Sequence, residues 1–293
     1  MRFDKVSALL ELIRWQGRGL RSDYSAGQGL MEICYVANEV GVPVEFVSAG
    51  LCVLEAAAQR IGASMAVVRA EFPEVIAYQQ EAEAQNRADQ AKVLERLAGM
   101  NLAPEQALLM GGSAVLLGVY GMLRAFRVKT CAVGVPDHVG VGEQSIIEQA
   151  LTAPPFEVQF GNLGRLGDRL DELSRVLTLD GVLWRVPTTE LLVVLLAARV
   201  GEPEASPSSP AWAHLAALLK GARKELSVER VVELTDELGL APRVHRGLAI
   251  VRVLFPELDW VVPSDRLDIP GWERVALRLA ANKLVQMAVG DEE

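Results

Sequence analysis

"LLMGGSAVLLGVYGMLRAFRVKTCAVGVP", residues 108–136, decides the reading of the fold. "PEQALLM" (104–110) is short and apolar, as for a buried strand that runs into Gly111-Gly112. "SAVLLGVYGML" (113–123) fits a short helix, and "AFRVKTCAVGVP" (125–136) is β-branched and stops at a proline. Strand, glycine turn, helix and strand thus follow one another within a few tens of residues. That succession predicts a sheet with helices on it rather than a helical bundle.

Downstream, the alternation continues. "GEQSIIEQAL" (142–151) reads as a helix and "FEVQF" (156–160) as a strand. "RVLTLDGVLWRVP" (175–187) reads as two strands around Asp180-Gly181, a strong hairpin signal. The regions on either side are helical in pattern. Upstream, "KVSALLELIRW" (5–15), "GLMEICYVANEVG" (29–41) and "VEFVSAGLCVLEAAAQRIG" (44–62) carry apolar residues at helical spacing, with a turn at Val42-Pro43. "EVIAYQQEAEAQNRADQAKVLERLAGM" (74–100) is polar over much of its length and predicts a long exposed or domain-bridging helix. From Thr188 onwards helices return, interrupted by the Pro/Ser-rich loop "EPEASPSSPAW" (202–212). The expected fold class is α+β: a small mixed sheet flanked by helices. The expected domains are a helical one over 1–98, an α/β one over 99–186 and a helical one over 187–293.

Composition narrows the function classes. At 51% apolar and 23% charged, the 293-residue chain is globular rather than disordered. Its net charge of −9 argues against general nucleic-acid binding, which draws on a Lys/Arg surplus. The three cysteines, Cys34, Cys52 and Cys131, are far apart and form no CxxC pair. They read as reduced, buried thiols in a cytoplasmic protein, with no zinc site. The N-terminal stretch carries charges throughout and shows no cleavage signature. "LLVVLLAARV" (191–200) is too short to span a bilayer and predicts a buried helix, so no membrane partner is expected.

The constellation around the opening stretch resembles the nucleotidyltransferase fold of the DNA polymerase beta superfamily. The likeness is greatest to bacterial members such as the toxin–antitoxin nucleotidyltransferases. It rests on Gly111-Gly112-Ser113-Ala114, on Gly121-Met122-Leu123-Arg124, on the hairpin with its following helix (176–199) and on the helices of 214–240. The resemblance implies a backbone turn at Gly111, Gly112 and Ser113 that approaches a triphosphate closely. It also implies two carboxylates, alternate on the next strand, that hold Mg²⁺, and a third on a later strand that activates the attacking hydroxyl.

This chain departs from that pattern at the metal ligands. Counted from Arg124, the two acidic positions fall on Val128 and Thr130; shifted registers give Cys131 and Val133, or Ala132 and Gly134. No Asp or Glu occurs from Gln106 through Pro136. The third position falls near Glu157 or Gln159, and one carboxylate rarely suffices for Mg²⁺. The segment carries Arg124, Arg127 and Lys129 instead, cations that suit phosphate oxygens without a metal. The plainer reading of the three is ordinary exposed charge on a strand edge.

The expectation is therefore a catalytically degenerate module with no catalytic residue, no metal and no cofactor. Gly111, Gly112, Ser113, Arg124, Arg127 and Lys129 would hold its ligand. That ligand would be a nucleotide or an RNA end, and a protein partner or a homodimer would serve the same regulatory role. One alternative is an active enzyme with displaced acids, drawn from Asp137 and Glu157; His138 and Glu143 lie near the first. Another is a helical assembly protein without a ligand.

Other motifs carry less. "ANEVGVPVEFV" (37–47) has helix-turn-helix spacing at Ala37, Gly41 and Val47. Its second helix holds Glu45 and Glu55 and no base-reading cation, so a buried helix pair and no specific duplex DNA are expected. His214 and His245 have no acid or Cys at ligand spacing and read as surface or boundary residues. The five tryptophans read as packing anchors.

Overall fold

The computed structural model describes residues 4–19, 24–110, 132–135, 159–162, 168–179, 181–202, 211–261 and 271–290. Elements are numbered among these residues. Five helices come first: α1 (Lys5–Gly19), α2 (Tyr24–Glu39), α3 (Val44–Arg60), α4 (Ala66–Ala70) and α5 (Pro73–Gly99). A 3₁₀ turn, Pro104–Gln106, leads into β1 (Leu108–Met110), followed by β2 (Ala132–Val135) and β3 (Gln159–Asn162). The one-turn helix α6 (Leu170–Leu173) precedes the hairpin of β4 (Ser174–Leu179) and β5 (Val182–Pro187). Five further helical pieces complete the fold. These are α7 (Thr189–Val200), α8 (Ala211–Ala222), α9 (Val228–Glu237), α10 (Ala241–Leu254), with the 3₁₀ turn Pro256–Val261 behind it, and α11 (Gly271–Val289).

The fold is α+β with one small mixed sheet, in strand order β3-β2-β1-β5-β4. β1 runs antiparallel to β2 and parallel to β5, while β2 and β3 are parallel. β4 and β5 form the expected hairpin, from Ser174 opposite Pro187 to Leu179 opposite Val182. Gly181 turns it with φ +78°, a conformation in which a Cβ would be strained. Register sorts the hairpin faces: Trp184 and Val186 are buried, while Val176 and Leu183, on the opposite face, are exposed.

The helices of the two ends share one apolar core. α1 packs on α2 and α3 and also on α8 and α11 from the far end of the sequence. Leu9, Leu12 and Ile13 of α1 belong to the same buried cluster as Trp212, Leu215 and Val285. Polar contacts fasten the seam. Lys5 Nζ donates to the Val289 carbonyl at the C-terminus of α11. Arg14 and Lys220 share the carboxylate of Glu257, at 3.1 Å and 2.7 Å. α7 and α10 cross so closely that a Cβ at Gly247 would stand 1.9 Å from the Ala197 carbonyl oxygen.

Two expectations need correction. α5 is not simply exposed. Val75, Gln79, Ala82, Asn86, Asp89 and Val93 fall at alternating steps of four and three and are buried. The stripe is polar enough to hide the helical periodicity from a hydrophobicity count, yet it is a buried seam. Gln79 Nε2 shows how such a residue is accommodated, donating to the Ser48 carbonyl of α3 at 3.3 Å. His214, expected near the surface, is buried at 3% exposure, because every residue of α8 from Ala211 to Leu219 is buried. His245 lies exposed on α10.

Candidate functional site

The sheet places β2 between β1 and β3. β1 reaches Met110, the residue before Gly111, and β2 returns beside it with Leu109 opposite Val133 and Met110 opposite Ala132. β3 lies on the other side in parallel, with Ala132 opposite Gln159, Val133 opposite Phe160, Gly134 opposite Gly161 and Val135 opposite Asn162. Neighbouring strands lie about 4.8 Å apart, and alternate residues share a face. Two carboxylates alternate on β2 and a third at the same level of β3 would thus converge on one ion.

The residues at these levels are Ala-Val-Gly-Val and Gln-Phe-Gly-Asn, with no carboxylate among them. They do not fit Mg²⁺, which takes hard, charged oxygen ligands in near-octahedral geometry. Two of the three possible registers of the metal positions touch β2, and neither meets an acid there. Among the described residues no group of three or more His, Cys, Asp or Glu side chains stands in position to hold a metal.

The expected ligand residues Gly111, Gly112, Ser113, Arg124, Arg127 and Lys129 lie outside the described residues, as do Val128, Thr130, Cys131, Asp137, His138, Glu143 and Glu157. The structure describes only the strands next to these residues in sequence: β1, which ends at Met110, β2 from Ala132, and β3 from Gln159.

The remaining candidates separate by burial. α3 is buried without interruption from Phe46 to Glu55, and burial pushes the Glu45 carboxyl up from its ordinary value. A helix enclosed in this way has no face for a major groove. Cys34 and Cys52 are buried and form no disulfide with each other, and desolvation raises the Cys34 thiol well above the ordinary range, which favours its protonated form. Trp184 and Trp212 are fully buried packing residues. His214 is held neutral by its burial, with its pKa pushed down to about 3.

One cluster escaped the sequence reading. Arg169, Glu172, Arg230 and Glu237 form a closed set of ion pairs between α6 and α9. Partners 58 and 68 residues apart leave no local pattern to find. No protein-family model, curated protein or solved structure matches this chain.

Proposed function

We propose that the chain is a degenerate nucleotidyltransferase-type module that binds a nucleotide or a nucleotide-bearing RNA end and does not transfer it. The observation that carries this reading is β2. In the sheet order it lies between β1 and β3, and its residues Ala132–Val135 contain no carboxylate. Two further features support it. The residue after β1 is Gly111, followed by Gly112 and Ser113, which suits close approach of a backbone to phosphate. The segment before β2 carries Arg124, Arg127 and Lys129 in place of acids, which suits an anion held without a metal.

The test is equilibrium binding of each nucleoside triphosphate with and without Mg²⁺, alongside a labelled-transfer assay with RNA and protein acceptors. Binding without turnover is expected. Arg124→Ala or Lys129→Ala should weaken it by about 1–3 kcal/mol for each charge-assisted hydrogen bond removed. Robust Mg²⁺-dependent transfer that disappears in Asp137→Ala or Glu157→Ala would make the chain an enzyme with displaced ligands. No binding of any nucleotide would leave the helical surfaces, and a protein partner or a second copy, as the site of function.

A further inference from the structure

α6 is a single turn between β3 and β4, the two outermost strands of the sheet, and Leu173 is its one buried residue. So short a helix cannot hold itself. Its C-terminal end is fixed by hydrogen bonds: Ser174 Oγ donates to the Leu170 carbonyl and accepts from the Arg185 guanidinium at 3.0 Å, and Thr188 N donates to the Leu173 carbonyl at 2.9 Å. The remainder is held by charge. On the sheet side Arg185 of β5 contacts Asp171 at 2.8 Å. On the bundle side the Glu172 carboxylate accepts a two-pronged contact from Arg169, at 2.8 Å and 2.7 Å, and a further bond from Arg230 of α9. Arg169 also donates to Glu237 of α9 at 2.6 Å, and Arg230 to Glu233 at 2.9 Å.

The two arginines depress the Glu172 carboxyl, Arg169 foremost, and Glu172 in turn raises the Arg169 guanidinium. Isolated exposed ion pairs contribute little to stability. Here two guanidinium groups share two carboxylates on different elements, and the Arg169–Glu172 contact has fork geometry, the arrangement in which such pairs do contribute. Arg169, Glu172, Arg230 and Glu237 are each at least a quarter exposed, the least being Arg230 at 27%, so dissolved ions reach and screen these four, while Arg185 on the sheet side is more enclosed at 16%.

We propose that α6 is an ionic-strength-sensitive latch between the sheet and α9: closed at low salt, released as salt rises, and reversible. Release frees the charged side of α6 from α9, while the apolar core, to which α6 contributes Leu173 and none of its charged residues, stays intact.

Hydrogen exchange read by mass spectrometry tests this on the full chain, between about 20 mM and about 500 mM NaCl, over which the Debye length falls from roughly 20 Å to roughly 4 Å. Peptides covering residues 168–174 are expected to exchange several-fold faster at high salt. Peptides from α7 should be slow at both. In Arg230→Gln the α6 peptides should exchange fast already at low salt, with little further response. Arg87→Gln, which removes a pair internal to α5, should leave α6 as in the parent chain. Equal protection of α6 at both salts would overturn the latch. So would an Arg230→Gln protein as salt-responsive as the parent, or an acceleration of α7 that matches that of α6.

Discussion

His214 is a single residue whose environment sets a pH dependence for the whole chain. Buried in α8, it is held neutral, with a pKa of about 3 against an ordinary 6.5. The unfolded chain takes up a proton near pH 6.5, and the folded chain does not until about pH 3. Stability is therefore undiminished above 6.5 and falls as pH drops from there toward 3, with a slope approaching about 1.4 kcal/mol per pH unit. Urea unfolding at several pH values across that window should show a steeper loss in the parent than in His214→Leu; parallel curves would mean that the imidazole takes no part. Two glycines make a second test. A Cβ at Gly247 would overlap the Ala197 carbonyl at 1.9 Å, and both groups are backbone, so neither can turn aside. Gly247→Ala should destabilise by about 2–4 kcal/mol. Gly99, the last residue of α5, has open space around the same position. Gly99→Ala should be neutral or stabilise by about 0.5–1 kcal/mol. Chemical denaturation midpoints of the two variants should move in opposite directions or differ widely.

At the scale of elements, the α2–α3 pair is a helix-turn-helix in outline only. Because α3 is enclosed from Phe46 to Glu55, the full chain should give no sequence-specific shift of duplex DNA at any salt concentration. A specific, salt-sensitive shift in a mobility assay would show that the pair opens. α9 carries a cleaner local signal: Ser227 Oγ accepts from Arg230 N at 3.2 Å as its N-cap. Ser227→Ala should therefore lower stability by about 1 kcal/mol, read as a shift in thermal midpoint. These elements also show what was legible beforehand. The helices of both ends, the hairpin at Gly181 and the short strands could be read from local periodicity and turn chemistry, because each depends on residues close in sequence. That the residues of β2 include no acid could be read by counting. The depth of α5 and of His214 could not. A buried stripe built from Gln79, Asn86 and Asp89 looks like a solvated face until its neighbours are known. The α6–α9 ion pairs are invisible for the same reason, since their partners are distant in the chain. Which strand lies beside β2 is likewise a long-range fact, and it decides whether carboxylates from two strands would have met.

At the scale of the molecule, α1 is part of the core of the C-terminal helices as much as of its own neighbours. Leu9→Ala should cost about 2–5 kcal/mol, and the effect should be felt at Trp212, far away in sequence but in the same cluster. Unfolding followed by tryptophan fluorescence and by helical circular dichroism should shift together in this variant; a shift in one alone would mean that the ends melt independently. The Lys5–Val289 hydrogen bond has a topological counterpart. The start of α1 and the end of α11 meet there, so a linker of a few residues could join these two helices directly. The chain could then be cut at the exposed turn of Gly62 to Ser64, between α3 and α4, with every packed helix kept whole. The order in which the helices leave the ribosome would change, and the structure that they reach would not.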